Sequence, residues 1–144
     1  MKVKIINKSN NELPSYATAG SAGMDIRAHL NKPLTVRPGK TVLVPTGLSL
    51  ELPVGYEAQI RPRSGLAYKN GLTIPNSPGT IDSDYRGHVK VMIRNEGPSA
   101  YEIKPGERIA QMVIADYTQV EWLLTEELEE TERGENGFGS TGKK

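Results

Sequence analysis

The stretch HVKVMIRN, residues 88–95, decides the fold because its side chains alternate between apolar and polar with a period of two. One face of the extended segment carries Val89, Val91 and Ile93, and the other carries His88, Lys90, Met92 and Arg94. A strand with one buried face and one solvated face produces this alternation, which a helix does not. The segment therefore predicts a β-strand with one face packed on the core.

Similar short runs extend along most of the chain: KVKII at 2–6, KTVLVPTGLSLEL at 40–52, GYEAQIRP at 55–62, YEIKPG at 101–106 and ERIAQMVIADY at 107–117. Pro and Gly interrupt them at 38–39, 53–55, 78–79, 97–99 and 105–106. This spacing predicts an all-β protein, an antiparallel sandwich or jelly roll. One short helix is expected in SGLAYKNG, 64–71, closed by Gly71, and the acidic TEELEETER, 125–133, is expected to be a solvated connector.

Composition limits the possible functions. A chain of 144 residues predicts one domain with a working core. Its net charge of +1, with 24% charged residues, gives no electrostatic footprint for nucleic acid or for an anionic membrane, so neither partner is expected. Cysteine is absent from the sequence, which excludes disulfides and a thiol nucleophile, and His29 and His88 are assigned to ordinary surface or strand positions. The first ten residues lack the apolar region of a signal peptide, so a cytoplasmic protein is expected.

Three polar stretches each have a simple structural interpretation. PGTIDSDYRG, 78–87, fits a turn in a hairpin, although a turn alone does not account for Tyr85 and Arg86. IRPRSGLA, 60–67, places Ser64 and Gly65 where a helix could begin, either as a serine N-cap or as an anion site built on free amide groups. GSAGMDIRA, 20–28, sets Asp25 after a flexible run, where it fits a loop aspartate.

The tail GFGSTGKK, 137–144, has most of a phosphate-binding Walker A pattern. That pattern needs Ser or Thr after the lysine, and Lys144 occupies this position, so the Walker interpretation fails. A glycine-rich tail cannot pack a core, because glycine supplies no side chain and loses the most entropy on ordering. The one phenylalanine of the chain, Phe138, is therefore predicted to be a docking anchor.

Five motifs together carry a specific resemblance: AGMDI at 22–26, PRSG at 62–65, GTIDSDYRG at 79–87, GERIAQM at 106–112 and RGENGFGSTG at 133–142. In this order, over nearly the whole length, they resemble the trimeric deoxyuridine triphosphatase (dUTPase) family. The resemblance implies a jelly-roll-like (β-clip) domain over 1–132 and a mobile lid over 133–144. It also implies magnesium-dependent hydrolysis of dUTP to dUMP and pyrophosphate, in a homotrimer with active sites between subunits.

The resemblance also implies a role for each site residue. Asp82 is the expected base that orients and deprotonates water, and Asp25 the expected Mg²⁺ anchor, through bound water. Phosphate contacts are implied for Arg63, Ser64, Gly65, Gln111 and Arg133. Contacts to uracil and deoxyribose are implied for Asn76, Thr80, Ile81, Tyr85 and Lys90. In the lid, Phe138 is expected to stack on uracil, Gly139 to allow close approach, and Ser140 and Thr141 to reach the terminal phosphate.

Two alternatives share the same pocket. Deoxycytidine triphosphate deaminases resemble this chain but carry a catalytic glutamate on the strand after the hairpin, whereas here 88–95 has no carboxylate before Glu96. A non-catalytic nucleotide sensor would be marked by loss of the catalytic aspartate, and Asp82 is present. Enzymatic dUTP hydrolysis is therefore the function that the sequence predicts.

Overall fold

The computed structural model describes residues 1–137, and these fold into short antiparallel strands with one short helix. The strands are β1 (Lys4–Asn7), β2 (Gly23–Arg27), β3 (Leu34–Val36), β4 (Thr41–Pro45), β5 (Leu48–Glu51), β6 (Tyr56–Arg61), β7 (Leu72–Thr73), β8 (Gly79–Ile81), β9 (Lys90–Asn95), β10 (Tyr101–Ile103) and β11 (Arg108–Asp116). The helix α1 spans Ser64–Asn70. The all-β prediction and the position of the helix are confirmed.

The strands form four small sheets, ordered β2-β11-β6-β8, β4-β9-β7, β1-β5 and β3-β10. Every ladder is antiparallel. The apolar faces meet in one core, as the alternation in 88–95 predicts: Val91 and Ile93 are buried while Lys90 and Met92 on the same strand are exposed. Burial of these β-branched side chains supplies the main driving force for the fold.

Three sequence interpretations need correction. Segment 76–90 is not a hydrogen-bonded hairpin, because β8 pairs with β6 whereas β9 pairs with β4 and β7. Asp25 lies on strand β2 rather than in a loop. The run 40–52 forms two strands that separate at Gly47, whose φ of 75° favours glycine.

The acidic segment 125–133 is exposed and follows the last strand, as predicted for a solvated connector. Five large apolar side chains in this region are also exposed. Four of them precede the acidic segment and one lies within it: Val120, Trp122, Leu123, Leu124 and Leu128. Trp122 is 89% exposed and Leu124 is 98% exposed. Contiguous exposed apolar side chains of this size commonly mark a contact surface.

Gly71 caps the C-terminus of helix α1. It has φ of 65°, and its amide donates to carbonyls of the last helical turn. A Cβ at Gly71 would also lie 2.6 Å from the backbone nitrogen of Gly97. We expect Gly71→Ala to lower the free energy of unfolding by about 2–4 kcal/mol, since left-handed strain and backbone overlap add. Gly39→Ala, at φ of 70° with open space around it, should lose about 1–2 kcal/mol from strain alone.

Urea unfolding of the two variants and the wild type, at one fixed protein concentration, measures both losses. Equal losses from Gly71→Ala and Gly39→Ala would show that the backbone at Gly97 shifts to accommodate the added Cβ, so that the close approach adds no cost to the strain.

Candidate active site

A cavity of about 330 Å³ lies beside the segment that connects β8 to β9. This volume is at the lower end of the range for small-molecule sites. Its lining combines apolar core residues with polar groups at the rim: Ile60, Ile74, Asn76, Gly79, Thr80, Ile81, Asp82, Tyr85, His88, Val89, Lys90, Val91 and Met92. The structure therefore brings together six residues of the candidate site, namely Asn76, Thr80, Ile81, Asp82, Tyr85 and Lys90.

Asn76 and Asp82 are placed at opposite ends of β8. A turn at Pro75 and Asn76, held by the Ser77 amide donating to the Ile74 carbonyl at 2.9 Å, brings the Asn76 amide over Gly79. A Cβ at Gly79 would lie 2.9 Å from the Asn76 Nδ2, so glycine is required for this approach. Asp82 follows β8 directly and is exposed at the rim, where its carboxylate can accept a proton from a bound water.

Tyr85 lines the cavity and is 46% exposed, which places it at the opening. Its amide donates to the Asp82 carbonyl at 3.2 Å, and its hydroxyl donates to the His88 carbonyl at 3.2 Å. A Cβ at Gly87 would overlap the Tyr85 ring, so the ring packs directly on the glycine backbone. His88, assigned from sequence to an ordinary surface or strand position, therefore contributes to the cavity wall.

A second polar cluster forms where β2, β11 and β6 lie side by side. Asp25 is opposite Gln111, and Gln111 is opposite Arg61. The Asp25 carboxylate accepts from Arg63 Nε at 2.8 Å and from Arg108 Nη1 at 3.2 Å. Gln111 Nε2 donates to the Pro62 carbonyl at 3.0 Å, which ties the Arg63 segment to β11.

Arg108 is the residue that sequence reasoning missed in this cluster. It belongs to the quoted motif GERIAQM, but its partner Asp25 is 83 residues away in sequence. Knowing that β11 pairs with β2 would have revealed it, since the register pairs Arg108 with Arg27, which lies two residues from Asp25 on the same face of β2. The cluster therefore carries two guanidinium groups around one carboxylate.

Ser64 and Gly65 open α1 and are exposed beside this cluster. The helix N-cap is Arg63 rather than Ser64, which corrects the serine N-cap interpretation. The first amide bonded within the helix is that of Ala67, which donates to the Arg63 carbonyl at 3.0 Å. The amides of Ser64 and Gly65 precede it and are available to an anionic ligand.

The cavity and the cluster are separate within one chain. Strands β2 and β8 are three strand spacings apart in the sheet. Along the strand direction, Arg61 is level with Asp25, whereas Asp82 is level with the residue of β6 that lies four positions before Arg61. With ~4.8 Å between strands and ~3.3 Å per residue, the two carboxylates lie about 20 Å apart. The cavity and the Asp25 cluster are therefore two separate polar groups within a single chain.

The candidate metal site contains one acidic side chain. Among residues 1–137 no group of three or more His, Cys, Asp or Glu side chains is arranged to hold a metal ion. Asp25 fits magnesium all the same, because this ion keeps several waters and is commonly held by one or two carboxylates together with substrate phosphates.

The remaining candidates lie in the tail. Arg133 is exposed and its Nε donates to the Asn136 carbonyl at 2.9 Å. Phe138, Gly139, Ser140 and Thr141 lie outside the described residues. Over the part of the chain that is described, no helix has the length and apolar character needed to cross a membrane.

The family model described as dUTPase matches residues 9–142. The chain belongs to the dUTPase family. It is 53% identical, over 99% of its length and 98% of the relative, to a deoxyuridine 5'-triphosphate nucleotidohydrolase of Fusobacterium nucleatum. A nucleotidohydrolase of the same name from Orientia tsutsugamushi, strain Boryong, is 54% identical over the full length of both chains. The resemblance carried by the five motifs is confirmed.

Solved dUTPase structures share the fold. A Staphylococcus bacteriophage 80alpha dUTPase with dUPNHPP superposes with a TM-score of 0.89 at 28% identity, covering 98% of both chains. A dUTPase from phage phi11 of S. aureus, described as showing the coordination of a structural Mg(II) ion, superposes with a TM-score of 0.81. Its identity is 22%, with coverage of 90% of this chain and 100% of the other, so that likeness concerns the fold alone.

Proposed function

We propose that this chain hydrolyses dUTP to dUMP and pyrophosphate in the cytoplasm, with magnesium, by in-line attack of water on the α-phosphorus. The reaction keeps uracil out of DNA and supplies dUMP for thymidylate synthesis. The observation that carries the proposal is the cavity lined by Tyr85 and Asp82, in a member of the dUTPase family.

Base selection is assigned to the cavity. Uracil presents a ring N–H between two carbonyls, which matches the amide of Asn76 and backbone groups around Lys90. Cytosine reverses a donor and an acceptor there and leaves polar groups unpaired, a mismatch worth ~10⁴-fold or more. Thymine adds one methyl, which costs roughly 1–3 kcal/mol in a tight pocket. The close approach of the Asn76 amide to Gly79 supports a tight fit at this position.

Sugar selection is assigned to Tyr85, whose ring would pack on the deoxyribose and leave no room for a 2′-hydroxyl. Thr80 and Ile81, on β8, line the same cavity and complete the contact with the nucleoside. Two fixed points support this role, the hydroxyl bond to the His88 carbonyl and the packing on Gly87.

Chemistry at phosphorus is assigned to Asp82. Its carboxylate orients a water and takes its proton as the water attacks, and pyrophosphate leaves from the opposite side. Exposure at the rim leaves room for that water. Magnesium, when bound with the triphosphate, offsets the negative charge of the phosphates.

The second cluster is assigned to the triphosphate and its metal. Arg63 and the amides of Ser64 and Gly65 would bind phosphate oxygens, Gln111 would support that segment, and Asp25 would anchor magnesium through bound water. The ion pairs of Asp25 with Arg63 and Arg108 hold its carboxylate in place.

A homotrimer is proposed because the Asp82 cavity and the Asp25 cluster are about 20 Å apart in one chain. At this distance one nucleotide cannot contact both groups productively. A second copy would bring its Asp25 cluster to the Asp82 cavity. The exposed apolar run at 120–128 supports assembly, since a neighbouring copy would cover Trp122 and Leu124. In a homotrimer with closed symmetry, the apolar run of each copy is covered by a neighbouring copy in the same way.

Residues 133–144 are proposed as a lid separate from the β domain at 1–132. Arg133 would face the phosphates, Phe138 would stack on uracil, and Gly139 would let the backbone approach. Ser140 and Thr141 would then reach the terminal phosphate. The composition of the tail, with four glycines among residues 133–144, supports closure over a ligand rather than a core role.

Pyrophosphate release with magnesium, compared in parallel for dUTP, dCTP, dTTP and UTP, tests the proposal. Release from dUTP alone is expected, and it supports the enzyme and both selectivity arguments. Release from dCTP or UTP at a similar rate contradicts the assigned base or sugar contacts. Binding of dUTP without any release favours a nucleotide sensor.

A further inference from the structure

The position of the Tyr85 ring depends on the backbone of two neighbouring residues. Its hydroxyl donates to the His88 carbonyl, and its ring rests on Gly87. The side chain is 46% exposed, so core packing does not fix it. Whatever holds the backbone at 87–88 therefore also fixes the ring at the cavity opening.

That backbone is attached to the buried strand β5 at two points. The Val89 amide donates to the Leu48 carbonyl at 2.8 Å. The His88 ring Nδ1 lies 3.2 Å from the Ser49 hydroxyl oxygen, and Ser49 is 8% exposed. Either partner can donate in this bond, depending on the histidine tautomer. A continuous path therefore runs from Ser49 through His88 to Tyr85.

We infer that Ser49 and His88 are positioning residues that set the discrimination between deoxyribonucleotides and ribonucleotides. The inference rests on the proposed function, in which the Tyr85 ring excludes the 2′-hydroxyl. Without the bond between Ser49 and His88, the His88 segment is held only through its backbone. The carbonyl that receives the Tyr85 hydroxyl is then free to shift, and the ring can move away from the sugar.

A purely structural role for Ser49 and His88 predicts a different result. Loss of stability would weaken the binding of every nucleotide to the same extent. Loss of positioning instead favours the ribonucleotide, because a displaced ring admits the 2′-hydroxyl while uracil contacts remain. The ratio of two dissociation constants separates these cases.

The test measures dissociation constants of the α,β-imido analogues of dUTP and UTP with magnesium, by calorimetry. We expect His88→Leu and Ser49→Ala to reduce the preference for the deoxy analogue by about fivefold to tenfold, the effect of one hydrogen bond. His88→Asn retains a polar atom near the position of Nδ1 and should keep the wild-type preference. Ser15→Ala, at an exposed serine outside this path, is the matched control.

A double-mutant cycle measures whether the losses of preference for the deoxy analogue are additive, which distinguishes positioning from a purely structural role. Tyr85→Phe removes the hydroxyl and should reduce the preference to a similar extent. Combining it with His88→Leu should add little, because both changes break the same path. Additive losses, or an unchanged preference in His88→Leu, would overturn the inference.

Pyrophosphate release from dUTP by the wild type is measured alongside. Wild type that binds the deoxy analogue preferentially but releases no pyrophosphate contradicts the proposed hydrolysis and leaves the binding test decisive. Wild type that shows no preference for the deoxy analogue overturns the inference directly. If Ser49→Ala does not fold, the comparison of His88→Leu with His88→Asn decides the outcome alone.

Discussion

Asp82→Asn is expected to lower kcat for dUTP hydrolysis by about 10² to 10⁴-fold while dUTP still binds, the range for loss of a positioned general base. The amide has the shape of the carboxylate but cannot take a proton from water. Local structure should survive, because the turn after β8 is held by the Asp82 backbone carbonyl, which the substitution retains. The loss therefore falls on the chemical step.

Single-turnover pyrophosphate release measures that step, and calorimetry with the α,β-imido analogue of dUTP measures binding. Asp84→Asn is the matched control, since Asp84 is an exposed aspartate two residues further along the same turn. It should stay within about twofold of the wild type, as exposed substitutions away from a site usually do. Equal turnover in Asp82→Asn and Asp84→Asn would remove Asp82 from the role of base.

Deletion of residues 134–144 is expected to reduce kcat/KM for dUTP by about 10²-fold or more. Stacking on a base contributes ~1–3 kcal/mol, and each hydrogen bond to a charged phosphate ~1.5–3 kcal/mol. Loss of Phe138, Ser140 and Thr141 together therefore removes at least about 4 kcal/mol. The β domain should keep its stability, because the connector before the deletion is exposed.

Two controls locate the effect within the tail. Deletion of Lys143 and Lys144 alone leaves the motif intact and should change activity by less than about twofold. Phe138→Tyr keeps an aromatic ring and should retain most activity, whereas Phe138→Ala should not. Size-exclusion chromatography with light scattering and thermal unfolding report on the assembly. A deletion that unfolds the protein would show that the tail is structural.

The strands with one clearly buried face were predictable from the sequence. In β9 the alternation of buried and exposed side chains follows the pleat, so the pattern is visible in a short window. Strand β2 was missed because most of its residues are only partly buried, which removes the alternation. Strand β3 has three residues, too few for a period to show.

Long-range relations could not be read from local patterns. The segment 76–90 looks like a hairpin because Pro and Gly mark turns locally, whereas its two strands pair with β6 and β4 in different sheets. The contacts of Arg108 with Asp25 and of His88 with Ser49 join residues far apart in sequence. The candidate residues themselves came from the motifs, but their separation into two groups within one chain required the sheet order.

In the proposed assembly one active site takes Asp82 from one copy and Asp25 from another, and subunit complementation tests this sharing. Asp82→Asn and Asp25→Asn chains are each assayed alone, then unfolded, mixed in equal amounts and refolded together. A site is intact when Asp82 comes from an Asp25→Asn chain and Asp25 from an Asp82→Asn chain. Random assembly gives each condition a probability of one half, so about one quarter of wild-type dUTP hydrolysis should return.

Mixing the two assembled variants without unfolding is the control and should recover little activity until subunits exchange. Recovery to about one quarter of the wild-type rate is the result that the shared site predicts. A refolded mixture no more active than the separate variants, although wild type refolded in the same way is fully active, would contradict the claim and place both carboxylates in one site of a single chain.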